Sequence, residues 1–233
     1  MSTRIVSLVP SSTETLLALG ADVVACSKYC EQPDLAHVGG TKNPDIAAIV
    51  TLAPDLVVLD REENRIEDHD ALVAAGIPVF VSDVTDLASG LAVVDELAKA
   101  AGVKRGRSAR HFRPFSGERR TAVVPIWRRP WMTIGSSTYG ASILDALGVD
   151  VIGFGDDPYP AVELSDVAEA RPDLVLVPSE PYVFNDDHVA EIAVAAPDAT
   201  VVRVDGQDLF WWGIRTPAAL SRLSEALGLQ PTL

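Results

Sequence analysis

Cysteine is scarce in this sequence. The two residues, Cys26 and Cys30, lie in CSKYC, a spacing that matches neither a CxxC redox pair nor a zinc ligand set. Read as free thiols, they favour the cytoplasm. Histidine is thin as well, at four residues. His37, His69, His111 and His188 are scattered, and no HExxH, GxSxG or phosphate-loop pattern accompanies them. Each reads as a surface or packing residue, with His37, just before Gly39 and Gly40, the best placed to ligate. No run approaches the roughly 18 to 20 apolar residues that a membrane-spanning helix needs. The start, MSTRIVSLVP, has no basic segment leading into an apolar stretch and a cleavage site. As written it reads as cytoplasmic; a leader removed from in front of it would make the protein an exported one.

Positive charge is also short, with 19 lysines and arginines against 33 acids and a formal net charge of −14. Phosphate neutralisation needs the opposite balance, so nucleic acid is excluded as a general partner. Such acidity keeps a chain dispersed, and a monomer is expected. Nine of the basic residues crowd into positions 104–129: Lys104, Arg105, Arg107, Arg110, Arg113, Arg119, Arg120, Arg128 and Arg129. That segment is a solvated linker or a docking element.

What the sequence has in quantity is apolar residue, 48% of 233 positions, enough for a packed core in one large domain or two small lobes. It also repeats itself. SSTETLLALGADVV at 11–24 is echoed by SSTYGASILDALGVDVI at 136–152, APDLVVL at 53–59 by RPDLVLV at 171–177, and AAGIPVFVSD at 74–83 by AAPDATVVRVD at 195–205. Three blocks in the same order imply a duplicated unit. Within each copy, short apolar runs suited to strands buried on both faces alternate with helical segments, which predicts a mostly parallel sheet covered by helices. In the first copy strands are expected at 4–9, 22–27, 55–59 and 78–82, and helices at 11–19, 43–52 and 64–75, with Pro44 in a helical first turn. The fold class is therefore α/β, with two Rossmann-like lobes over 1–84 and 120–233. A connecting helix and basic linker over 85–119 joins them, its apolar face at 87, 91, 94, 97, 98 and 101.

In open α/β sheets ligands sit beyond the carboxyl ends of the strands, so a cleft where two lobes meet is the place to look. Ser11 and Ser12 follow the first strand, and Ser11 with Glu14 fits a capping box. Helix capping accounts for these serines; so does a helix end aimed at a ligand, with Ser136 and Ser137 doing the same in the second copy. DREENRIED at 60–68 carries five acids, Asp60, Glu62, Glu63, Glu67 and Asp68. They complement a helix dipole or edge the cleft. The matching loop PSEPYVFND at 178–186 sets Glu180, Tyr182 and Phe184 on a proline-stiffened segment, where Phe184 either packs inward or joins a recognition surface. In DLFWWGIRTP at 208–217, Phe210, Trp211 and Trp212 cannot all enter one core. With Trp131 and Tyr139 they suggest an apolar wall for a large ligand.

These stretches, RIVSLVPSSTETLLALG, VGGTKNPDIAAIVTLAPDLVV, AAGIPVFV, PDLVLV and WWGIRTPAALSRL, together resemble the cobalamin and siderophore class of ABC-importer substrate-binding proteins, the helical backbone metal receptors. The resemblance spans nearly the whole chain. It implies two lobes bridged by one helix, with a metal chelate such as a corrinoid, another tetrapyrrole or a siderophore held between them as cargo and no intrinsic cofactor. The ligand-contacting set it implies is Ser11, Ser12, Tyr29, Lys42, Asp60, Glu62 and Asn64 in the first lobe. In the second it is Trp131, Ser136, Ser137, Tyr139, Tyr182, Phe210, Trp211 and Trp212. Glu63, Glu67 and Glu180 are the carboxylates that would face an ABC permease. The bridging helix is short for the class, and Asp60 stands where cobalamin-binding relatives place an aromatic. Two other readings fit the sequence, a metal-chelatase-like enzyme on the same scaffold and a cytoplasmic sensor or partner protein.

Overall fold

The computed structural model describes residues 2–105 and 115–229. Arg107, Arg110, His111 and Arg113 of the basic segment lie outside the described residues. The chain divides into two compact units, Met1–Val84 with Ala88–Ala109 and Trp212–Arg215, and Thr85–Leu87 with Arg110–Trp211 and Thr216–Leu233.

The first unit runs β1 (Arg4–Ser7), α1 (Pro10–Ala18), β2 (Asp22–Cys26), β3 (Ala36–His37), α2 (Ile46–Leu52), β4 (Leu56–Asp60), α3 (Ile66–Ala74) and β5 (Val79–Ser82), and α4 (Leu87–Ala100) follows. Its sheet has the order β3-β2-β1-β4-β5, every pair parallel. β4 is buried at every position, as a strand covered on both faces must be. Val6, Leu8, Ile49, Val57, Leu59 and Leu72 make the core around it. On α4 the buried face is Gly90, Val93, Val94, Leu97 and Ala98, rotated from the expected one at its N-terminal end.

The second unit runs β6 (Arg120–Val123), β7 (Pro125–Trp127), β8 (Trp131–Thr133), α5 (Tyr139–Ala146), β9 (Val149–Val151), β10 (Ala161–Val162), α6 (Leu164–Ala170), β11 (Leu174–Pro178), α7 (Asp186–Ala195), β12 (Thr200–Val204), α8 (Gly206–Phe210) and α9 (Thr216–Ala226). Its main sheet has the order β12-β11-β6-β9, again parallel throughout, beside a small antiparallel sheet β10-β8-β7. The four strands β9-β6-β11-β12 repeat the order β2-β1-β4-β5.

The repeat reaches the level of single atoms. Ala53 and Arg171 end α2 and α6 in the same left-handed conformation, φ 45° and 46°. Each is followed by Pro-Asp-Leu. Asp55 Oδ2 accepts from the Arg4 N–H at 2.8 Å, and Asp173 Oδ2 accepts from the Thr121 N–H at 2.7 Å. The repeated aspartate ties the start of β1 and of β6 to the end of a helix and gives a strand-start N–H its acceptor.

Two expectations are corrected. α1 begins at Pro10 with Val9 as its cap and no side-chain cap bond, so the Ser11–Glu14 box does not form; Glu14 instead takes the Arg215 guanidinium in a two-bond fork at 2.9 and 3.0 Å. Ser11 and Ser12 sit inside the first turn, whereas Thr138 caps α5 by accepting from Ala141 N–H, leaving Ser136 and Ser137 ahead of the helix. The two Ser-Ser-Thr runs are therefore not equivalent, because the β7–β8 hairpin enters between β6 and α5. Likewise α2 starts at Ile46 under an Asp45 cap, and Pro44 lies in the loop, bridged to Gly39.

Candidate ligand-binding site

In the first unit the carboxyl ends of β2, β4 and β5 gather a connected polar rim. Asp60 closes β4 and is buried; its Oδ1 accepts from the N–H groups of Glu62 and Glu63 at 2.9 and 3.3 Å, and its Oδ2 accepts from Ser82 Oγ at 2.8 Å. Asn64 links two loops, its Oδ1 accepting from Asp60 N–H and its Nδ2 donating to Thr41 O, both at 2.8 Å. Lys42 Nζ donates to Glu62 O. The loops 40–43 and 60–64 thus form one unit, held by Asn64 and Lys42. Tyr29 stands over the same loop, since a β-carbon on Gly40 would lie 3.2 Å from its ring, and it is 53% exposed with the Lys28 ammonium 5.0 Å from the ring centre. Tyr29, Lys42, Asp60, Glu62 and Asn64 are brought together; Asp60 and Asn64 are buried in the scaffold of the rim, while Tyr29, Lys42 and Glu62 are exposed on it. Ser11 and Ser12 are buried in α1, and Ser12 Oγ has no hydrogen-bond partner.

Burial pushes the Asp60 carboxyl above its ordinary value of 3.8, against the pull of the Ser82 hydroxyl and the two N–H donors. A carboxyl raised on folding binds its proton more tightly in the native state, so its contribution to stability falls as pH rises from 3.8 through the folded value, and is level above that. Asparagine keeps the acceptor for both N–H groups and can turn its NH2 to Ser82 Oγ, whose O–H also reaches Leu59 O at 3.1 Å. Asp60→Asn is therefore expected to be at least as stable as the parent at neutral pH. In urea unfolding followed across pH, the gap between the two should narrow towards acid. A parent that is the more stable of the two at neutral pH would contradict this.

In the second unit the rim is aromatic. Trp211 Nε1 donates to Glu180 Oε1 at 2.7 Å, and Gly206 N–H donates to Ser179 Oγ at 2.9 Å, joining the loop after β11 to α8. On the other side of that loop Tyr182 meets Trp127 edge to face at 5.1 Å and Phe184 at 4.8 Å. Trp127 is 45% exposed. His188, at 5.7 Å from the Tyr182 ring, completes the group and also closes a capping box with Asn185.

The single wall expected of five rings is corrected. Trp131 is buried and stacked on Phe184 at 5.7 Å within the unit's core, because the hairpin folds it inward. Tyr139 is buried, its hydroxyl 2.8 Å from Thr216 Oγ1, and burial pushes the phenol up. Trp212 is buried too, and Phe210 lies against the first turn of α5, where a β-carbon on Gly140 would be 3.2 Å from its ring. Phe210 and Trp211 are the half-buried members of the set, as is Tyr182 outside it. Trp127 ends the apolar run TAVVPIW, which carries no local signal for it, and it is the exposed residue of β7, whose other two positions are buried.

Ser136 and Ser137 line a cavity of about 440 Å3 with Thr85, Asp86, Ser142, Asp145 and Asp150, which includes none of the aromatic candidates. Glu63 and Glu67 are exposed at the entrance to α3, whereas Glu180 is half-buried against Trp211. His37 bonds the Gln32 carbonyl and His69 the Asp70 carboxylate. Among the described residues no group of three or more His, Cys, Asp or Glu is placed to hold a metal, and no helix is long and apolar enough to cross a membrane.

Comparison with known proteins adds to this geometry. A family described as periplasmic binding protein matches residues 5–196. The vitamin B12-binding protein of Yersinia pestis (strain Pestoides F) is 29% identical over 194 residues, 75% of this chain and 69% of its own length. Among solved structures, the periplasmic vitamin B12 binding protein BtuF of Vibrio cholerae superposes with a TM-score of 0.74 at 18% identity, covering 97% of each chain. A periplasmic heme binding protein from Pseudomonas aeruginosa does so with 0.78 at 19%, covering 99% of this chain and 95% of its own. The structural likenesses establish the same two-lobed α/β fold.

Proposed function

The chain belongs to the periplasmic binding protein family, and we propose on that footing that it binds a metal chelate of corrinoid or haem size as cargo for an ABC importer, without chemistry of its own. The observation that carries the reading is the likeness to the vitamin B12-binding protein across three quarters of the chain. The physical support is a pair of rims suited to such a ligand. The aromatic rim offers flat apolar faces at Trp127, Tyr182 and Trp211, and ring faces bury much area at little entropic cost. The polar rim offers the Tyr29 ring, the Lys42 ammonium and the Glu62 carboxylate for a ligand's amide or carboxylate groups. The family's description supports work outside the cytoplasmic membrane. Glu63 and Glu67, exposed where α3 begins, are the carboxylates to face a permease. The chelatase and sensor readings find no such support.

The test is titration of the purified protein with cobalamin, cobinamide, haem and a set of ferric siderophores while tryptophan emission is followed. Saturable quenching by at least one is expected, and Tyr182→Ala should weaken it. A flat response to the whole panel would sink the reading.

A further inference from the structure

Cys26 and Cys30 are not isolated thiols. Cys26 ends β2 and Cys30 follows one turn later, both as buried free thiols, and each perturbs the ionisation of the other. The Cys30 sulfur also lies 3.2 Å from both Thr13 Oγ1 and Ser27 Oγ. The turn between them is already held in place: Ser27 N–H donates to Ser7 O, Lys28 N–H to Gly39 O and Cys30 N–H to Ser27 O, at 3.1, 2.9 and 3.1 Å. Thr13 and Ser27 each carry a single rotatable hydroxyl proton, which can turn towards Cys30 when its sulfur is charged and elsewhere when it is not.

We propose that Cys26 and Cys30 form an oxidisable dithiol that closes to an intramolecular disulfide by exchange with a disulfide oxidant of the glutathione type or the active-site disulfide of a thiol oxidoreductase. The Cys30 thiolate attacks one sulfur of the oxidant and expels the other as thiolate. Cys26, deprotonated, then attacks the Cys30 sulfur of the mixed disulfide and expels the second. The two protein thiols lose two protons and two electrons, and the oxidant's disulfide becomes two thiols. Cys30 is the attacking residue because it has the residual exposure, 3% against 0% for Cys26. The influence of the neighbouring Cys26 thiol, with the Ser27 and Thr13 hydroxyls, also outweighs burial and brings the Cys30 thiol down to about 6, while Cys26 is pushed up. The closed ring encloses Ser27, Lys28 and Tyr29. So short a loop removes little chain entropy from the unfolded state, and the effect is local: it locks the turn that presents Tyr29. The inference stands apart from the ligand reading, because its readout is thiol chemistry alone.

The protein is equilibrated with glutathione disulfide, both folded and during refolding from urea, then denatured, alkylated with N-ethylmaleimide and weighed by intact-mass spectrometry. The expected product of both treatments carries no adduct and is lighter than the reduced protein by two hydrogen atoms. Two maleimide adducts, two retained glutathiones or a disulfide-linked dimer would each overturn the proposal. With folded protein, Cys26→Ser should trap one glutathione on Cys30, and Cys30→Ser should trap none over the same period. The reverse pattern would overturn the assigned order of attack. Should either variant fail to fold, the wild-type mass alone decides.

Discussion

Gly206→Ala is expected to destabilise the second unit by about 1–3 kcal/mol, the usual cost of overfilling a packed site. The new β-carbon would lie 2.5 Å from Glu180 Cγ, 2.7 Å from Glu180 N and 2.9 Å from Glu180 O. A flexible side chain could step aside from the first contact, but the other two are backbone atoms, so the loop after β11 or the start of α8 must move. Either movement breaks the 2.7 Å bond between Trp211 and Glu180. Chemical denaturation should show the loss as an earlier midpoint for the transition reported by Trp127, Trp131 and Trp211. Tryptophan emission of the folded variant should shift to the red as Trp211 gains water. An unchanged midpoint and spectrum would mean that the junction is looser than the distances say.

Gly39→Ala should cost more, roughly 2–5 kcal/mol, because two penalties coincide there. Gly39 has φ +91°, which a residue with a side chain adopts only under strain, and its β-carbon would lie 2.6 Å from Asn43 O and 2.9 Å from Asp45 N. The clash falls on the loop whose Asp45 caps α2 and whose Thr41 is held by Asn64. Gly76→Ala provides the comparison. It has φ +76° with nothing within 4 Å of the added carbon, so it should suffer the left-handed penalty alone, about 1–2 kcal/mol. If G39A and G76A unfolded at the same denaturant concentration, the steric half of the argument would fail.

The parallel sheets were legible in the sequence because strands buried on both faces leave continuous apolar runs, as at Leu56–Asp60 and Leu174–Pro178. The repeated Pro-Asp-Leu was legible too, and its role in bonding Arg4 and Thr121 explains why the aspartate occurs in both copies. The doubled Ser-Ser-Thr misled. Identical letters stand inside the first turn of α1 but ahead of α5, and only the hairpin Pro125–Thr133 inserted before α5 reveals the offset. At the polar rim, the acidic loop after β4 was visible as composition. Ser82 and Thr41, which hold Asp60 and Asn64, come from other strands and loops and leave no local signal. Among the rings, which ones face inward depends on what lies opposite. Trp131 is buried because Phe184 lies 5.7 Å from it across the core, a pairing 53 residues apart in sequence.

Binding of a metal chelate is the property on which the proposed function turns, and co-elution measures it without relying on emission. Protein is mixed with an excess of cobinamide, cobalamin, haem or ferric siderophore in turn and passed through a gel-filtration column while absorption is read at the protein band and at the chelate band. At least one chelate is expected to travel with the protein at one bound molecule per chain, with its band shifted on binding. Complete separation of every chelate from the folded protein would contradict it.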